Sequence, residues 1–347
     1  FSMIQPSGKL GIGHYMGAIR HWVKAQNNNH DCIFSIADLH AITVPQNPIV
    51  LREHVLDLVA FYLACGIDPD KSLVFSQSAV PQHAELAWVL STITSLGELN
   101  RMTQFKDKSS NAKRERIGAG LYVYPALMAS DILLYQTERV PVGSDQKQHI
   151  ELARDLAIRF NTQFEEVFTI PEPCISDIGS RIMALGDPYK KMSKSDKDEN
   201  NSILLDDDPA RIKKKIMRSV TDSLGHFQYD PEQQKGLANL INLYAATCDM
   251  SIEDVVMRFS GAGYGDFKKD LASKVADLVG EVHEVYQSHR QNEDYLQNIL
   301  EQGAKQAQLQ ACETLSKVYS AMGLSSHIKH DDYALGASVP KVAVKLL

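Results

Sequence analysis

Cysteine is sparse in this chain, and its placement excludes more than its number does. The five thiols Cys32, Cys65, Cys174, Cys248 and Cys312 are scattered, odd in number, never in a Cys-x-x-Cys pair and never beside clustered histidines. That pattern excludes a disulfide framework and leaves no visible zinc site; it fits the reduced thiols of a cytoplasmic protein. Long apolar runs are missing too. None would span a bilayer and no secretory signal pattern opens the chain, so no membrane partner is expected. An excess of positive charge is also absent, the formal charge being -7. Indiscriminate coating of nucleic acid is driven by phosphate neutralisation, so this balance argues against it and leaves only local basic patches open. No internal repeat is evident. Phe1 is not an initiator methionine, and the opening residues read as part of a strand.

What the chain does have is length. At 347 residues it exceeds the roughly 250 to 300 residues at which single cores stop growing, so two domains are expected. In the first half, short β-rich runs alternate with longer amphipathic ones, the pattern of an open parallel sheet with helices on its faces. "CIFSIAD", "SLVFSQS" and "RVPVGSD" read as strands, and "REHVLDLVAFYLACGIDP" as a helix that stops at Gly66 with Pro69 beyond. After Asp198 the β signal disappears. Residues 209–220, 233–248, 251–259 and 268–322 read as helical segments, the third opening on a Ser251/Asp254 capping pattern.

Three stretches carry the chemistry. "QPSGKLGIGHYMGAIRHW" follows the first strand and leads into a helix that includes Tyr15 to Lys24. Glycines at such a turn let a nucleotide approach the backbone, and a helix N-terminus favours phosphate. Gly8, Gly11 and Gly13 fit that role, but the next glycine, Gly17, comes one residue too late for G-x-G-x-x-G, and no G-x-x-x-x-G-K-[ST] loop exists. A tight turn with close helix packing explains the glycines equally well. His14 either packs at the start of its helix or donates to a phosphate or ribose oxygen. The second stretch, "YKKMSKSDKDEN", is either a solvated linker or a loop whose ammonium groups close over phosphates. In the third, Asp131 interrupts the apolar run "PALMASDILLY", where Pro125 fits the first turn of a helix. Tyr124, Met128, Asp131 and Tyr135 fall at i, i+4, i+7 and i+11, near one face. A carboxylate there must find donors, from neighbouring protein groups or from a ligand.

Gly11-Ile12-Gly13-His14 and Lys191-Met192-Ser193-Lys194-Ser195, in this order on an α/β frame, resemble the paired HIGH and KMSKS motifs of class I aminoacyl-tRNA synthetases. "FSMIQPSGKLGIGHYMGAI", "DLHAITV", "CGIDPDKS", "RMTQFKDKS", "YPALMASDILLYQ" and "VPVGSDQKQHIELARDLAIRFN" narrow the resemblance to the tryptophanyl branch, bacterial and mitochondrial type, from Phe1 to about Leu324. The resemblance implies an α/β fold with a Rossmann-like parallel sheet and a second, all-helical domain. Residues 1–190 would form the catalytic domain, with a polar insertion at 101–120. Residues 191–325 would hold the KMSKS loop and the anticodon-binding helices, the last of which could pack back on the catalytic domain; 326–347 would be a tail.

It also implies ATP with Mg2+, L-tryptophan and tRNA(Trp) as partners, and a homodimer. Asp131 would accept the indole N-H. Tyr124 and Gln146 would hold the substrate ammonium, Met128, Val140 and Val142 would line the indole, and Phe1 would sit at the pocket edge. Gln5 would lie near the activated carboxylate and ATP, and Asp145 would contact the ribose. Gly8, Gly13 and His14 would line the nucleotide, while Lys191, Lys194 and a third lysine, Lys108, would bind phosphates with Met192, Ser193 and Ser195. The chain departs from the family at Met3 (usually glycine), Gly11 (threonine), His14 (asparagine) and Ser144 (glutamate). Three alternatives stand beside this expectation: a tyrosyl enzyme, a synthetase-like RNA-binding protein without activation activity, and a nicotinamide oxidoreductase, whose fingerprint spacing fails.

Overall fold

The computed structural model describes residues 1–102, 118–142, 146–175, 182–194 and 196–325, with Val142 and Ile175 described in backbone only. Three parallel strands, β1 (Ser2–Ile4), β2 (Cys32–Ile36) and β3 (Ser72–Ser76), pair in the order β1-β2-β3, with Ser2 opposite Phe34 and Cys32 opposite Ser72. Two more, β4 (Arg139–Val142) and β5 (Glu172–Ile175), pair in parallel as a second ribbon, and β4 lies against β1. The spatial run is therefore 3-2-1-4-5. Strand order runs one way from β1 to β3 and the other way from β4 to β5, which makes the gap between β1 and β4 the switch point where open α/β sheets bind ligands.

Alternation along the strands sends neighbouring side chains to opposite faces. Phe34, Ile36 and Val74 enter one core with Trp22, Tyr62, Tyr244 and Phe267; Ile33, Leu73 and Phe75 enter another with Ile132, Phe160 and Leu315. Both faces of the sheet are thus covered, as parallel sheets require.

The helices form where caps and spacing coincide. Leading out of the glycine turn are α1 (Ile12–His14), a π-helical turn over Tyr15–Ile19, and α2 (Arg20–Asn27). After β2 come α3 (Asp38–Ala41) and α4 (Pro48–Ala64). The Asn47 side chain accepts from the amides of Ile49 and Val50, Pro48 takes the first turn, and Gly66 at φ +101° reverses the chain where a side chain would be strained. The sheet-bearing half continues with α5 (Gln82–Ile93), α6 (Leu96–Arg101), α7 (Gly120–Leu133) and α8 (Lys147–Gln163). Pro125 does not open α7 as the sequence suggests. The helix begins one turn earlier, so the proline lies inside it and costs one backbone hydrogen bond.

Beyond β5 no strand occurs among the described residues. There α9 (Pro209–Arg218), α10 (Lys235–Cys248), α11 (Ile252–Arg258), α12 (Tyr264–Arg290) and α13 (Glu293–Met322) follow. The segment expected over 268–322 is two helices, because Asn292 caps the second through the Tyr295 amide at 3.2 Å. Helix α13 then returns to the sheet and lies along β3, with Gly303 against the Val74 carbonyl.

Candidate active site

Several groups of the site follow the carboxyl end of a strand. β1 leads into the glycine turn, β2 into His40, β3 into Gln77 and His83, and β4 into Gln146. Asp131, on α7, is fully buried beneath these ends. His40 Nε2 lies 2.8 Å from its Oδ2, and Gln77 Nε2 (2.7 Å) and His83 Nδ1 (2.6 Å) share its Oδ1. Burial alone would raise the carboxyl pKa, but the hydrogen bonds and positive charge of His40 and His83 outweigh it and hold the group at about 2. An ionised carboxylate only accepts, so the ring nitrogens facing it carry protons. His83 Nε2 meets the Tyr135 hydroxyl at 2.8 Å, and Tyr135 stacks on Phe1 with centroids 5.5 Å apart. Tyr124 is buried next to this cluster, its hydroxyl 2.7 Å from His149 Nε2, and burial pushes its phenol up to about 12.

The second half of the site sits on the glycine turn. Gly8 adopts φ +97°, a left-handed conformation that favours glycine. A Cβ added at Gly13 would meet nothing within 4 Å, so open space lies beside that backbone. The Gly11 amide donates to His14 Nδ1 at 3.4 Å, which leaves the proton of a neutral imidazole on Nε2. Burial, with the positive charge of Lys194 and Lys191, pushes His14 down to about 4. Lys194 Nζ donates to Ser7 Oγ at 3.1 Å and reaches the Gly8 carbonyl at 3.5 Å, and burial lowers its pKa. The lysine loop is itself anchored: Met192 donates its amide to Ile182 O at 2.9 Å and packs on the first core, and Lys191 bridges to Met183. A cavity of about 470 Å³ opens beside Lys194 and Lys9.

The remaining expected residues divide. Phe1 lies just before β1, Gln5 and Gly8 on the turn after it, Gly13 and His14 in α1, Tyr124 and Asp131 on α7, Gln146 just before α8, and Lys191, Met192, Ser193 and Lys194 on the lysine loop. Met128 is half-buried against the second core, and Val140 is fully part of it. Lys108, Ser144, Asp145 and Ser195, and the side chain of Val142, lie outside the described residues. Met3 stands mid-β1, half-buried, opposite Ser35. His40, Gln77 and His83 are the groups that sequence reasoning left unassigned. Their signal was weak: polar residues one to seven positions past a strand, each ordinary by itself.

Comparison with known proteins decides the family. The sequence model of the family described as "tRNA synthetases class I (W and Y)" matches residues 1–280. A "Tryptophan--tRNA ligase" of Bacillus anthracis is 49% identical over 325 residues, covering 94% of this chain and 98% of that one. The chain belongs to the tryptophan-tRNA ligase family of class I synthetases. Solved relatives agree. The tryptophanyl-tRNA synthetase of Mycoplasma pneumoniae is 37% identical with a TM-score of 0.86, covering 93% of this chain and 97% of that one. That of Campylobacter jejuni, solved with ADP and tryptophan, is 36% identical with a TM-score of 0.75, covering 93% and 99%.

Proposed function

We infer that the chain activates L-tryptophan with ATP and transfers it to tRNA(Trp). The observation that carries this reading is the contact of Lys194 with the Ser7-Gly8 turn, which sets a second ammonium group and a neutral imidazole around the place a triphosphate needs them. The tryptophan carboxylate attacks the α-phosphorus; the bond to the bridging oxygen breaks, and pyrophosphate leaves with its electron pair. The attacking group already carries its charge, so the protein positions reactants and stabilises charge on the leaving group. Lys194 and Lys191, with Ser193, donate to the β- and γ-phosphates; His14 Nε2 and the backbone around Gly8 and Gly13 line the nucleotide. Gln5 stands near the carboxylate, while Lys108, Asp145 and Ser195 complete the phosphate and ribose contacts.

At the other end Asp131 accepts the indole N-H with the free lone pair of Oδ2, and Met128, Val140, Val142 and Phe1 enclose the ring. The Tyr124 hydroxyl, held against His149 at 2.7 Å, keeps a lone pair for the substrate ammonium, beside Gln146. Among the described residues no three carboxylate, histidine or thiol groups stand together as a metal cage. Magnesium would therefore enter with the nucleotide, held by phosphate oxygens and water, and would help to neutralise the phosphate charge beside Lys191 and Lys194. The adenylate then passes its acyl group to a terminal ribose hydroxyl of the tRNA. Lys213, Lys214 and Arg218 are exposed on α9 and suit an RNA backbone, whereas Lys215 is turned inward onto Asp207 at 2.6 Å. Among the described residues no helix is long and apolar enough to cross a membrane, and we assign the protein to the cytoplasm.

The test is ATP-pyrophosphate exchange followed by tRNA(Trp) charging. Exchange should require tryptophan and should not run on tyrosine. Lys194→Ala should slow it by about 100-fold or more, as loss of a charge-stabilising donor does, with little change in tryptophan affinity. Exchange with tyrosine, or tRNA binding without exchange, would replace this reading.

A further inference from the structure

We propose that His83 and Tyr135 act as a positioning pair for the indole subsite and set how strongly tryptophan is preferred over a ring isostere lacking the N-H. The inference rests on Asp131 being the indole acceptor and adds what makes it selective.

A carboxylate has four acceptor positions, and one that can turn about its own axis offers them to any donor. Asp131 is denied that freedom. Gln77 Nε2 and His83 Nδ1 occupy both positions on Oδ1, and His40 Nε2 occupies one on Oδ2, leaving a single position on Oδ2. His40 and Gln77 each make one of these bonds; His83 makes the shortest and is itself fixed on its far side. Its Nε2 meets the Tyr135 hydroxyl at 2.8 Å, and its carbonyl accepts from the Ser130 hydroxyl at 2.7 Å, which ties α5 to the residue preceding Asp131. Tyr135 is in turn held by its stack on Phe1. His83 is fully buried and pairs with these groups, so its contribution reaches substrate only through the orientation of Asp131. Gln77 Oε1, buried and without a partner among the described residues, keeps a second acceptor unfilled in the same cluster.

The experiment compares kcat/KM for tryptophan with that for 3-benzothienylalanine, in which sulfur replaces the N-H, in the exchange reaction. Wild type should prefer tryptophan strongly. His83→Leu should cut the preference by about tenfold or more, since it removes a hydrogen bond to a charged group, and His83→Asn, which keeps a donor near Nδ1, should restore part of it. Tyr135→Phe, which removes one hydroxyl and keeps the ring, should cut it by a smaller factor, and carries the test alone if His83→Leu does not fold. The KM for ATP should stay within about twofold, because the bonds that His83 and Tyr135 make run to Asp131, Ser130 and each other, not to the donors placed around the phosphates. Variants that lose turnover while keeping the wild-type preference would overturn the positioning role. No preference in wild type would instead remove Asp131 as the indole acceptor, and the inference with it.

Discussion

His14 is the residue whose protonation the fold most plainly controls. Its imidazole is pushed from an ordinary value near 6.5 to about 4, first by burial and then by Lys194 and Lys191. Between those two values the unfolded chain binds more protons than the folded one, so stability rises with pH through the window and is lost as pH falls through it. His14 keeps some solvent contact, which screens the effect to on the order of 1 kcal/mol. Urea midpoints measured at pH 7 and pH 5 should fall in the wild type and fall less in His14→Asn; equal falls would show that the imidazole is not held neutral. At this scale the sequence was informative about single residues and silent about their partners. Asp131 announced itself because a carboxylate in an apolar helix needs donors. The donors themselves stand 91, 54 and 48 positions away, and only the sheet brings them together, because His40 follows β2 while Gln77 and His83 follow its neighbour β3.

Elements were legible where apolar spacing and caps agreed and misread where spacing ran on without a break. Asn292 ends one helix and starts another while the apolar period continues across it, so 268–322 looked seamless. The return of α13 to the sheet depends on a close approach that spacing does not encode. A Cβ on Gly303 would stand 2.0 Å from the Val74 carbonyl oxygen, whereas one on Gly280 of α12 would meet nothing within 4 Å. Helix propensity alone favours alanine over glycine at both positions by about 0.5–1 kcal/mol. Gly280→Ala should therefore stabilise by about that amount, and Gly303→Ala should destabilise by about 1–3 kcal/mol because backbone must move. Denaturant unfolding of the two variants reads the sign directly. Stabilisation by both would mean that α13 does not pack on β3 this closely.

For the whole molecule, the two-part plan of sheet and helical region followed from the loss of β signal after Asp198, but the surfaces each part leaves exposed did not. Ion pairs tie the parts together: Arg290 reaches Glu53 and, at 2.8 Å, Asp57 on α4, and Lys24 on α2 meets Asp249 after α10 at 3.0 Å. On the far side, α5, α6, α7 and α8 pack on one another and expose Trp88 (74%), Leu96 (69%), Val123 and Ile158. Scattered apolar residues need no explanation on a protein surface, but an exposed tryptophan with aliphatic neighbours on adjoining helices suits the centre of an interface. We propose that a second copy of this chain covers it, in the isologous arrangement that most homodimers use. Sedimentation equilibrium at micromolar concentration should give twice the chain mass. Trp88→Lys should weaken self-association by about 2 kcal/mol or more, as loss of a buried aromatic anchor does, and shift the mass toward the monomer. A wild-type protein that sediments as a monomer would exclude this face as a dimer interface, and a dimer indifferent to Trp88→Lys would move the interface to another surface.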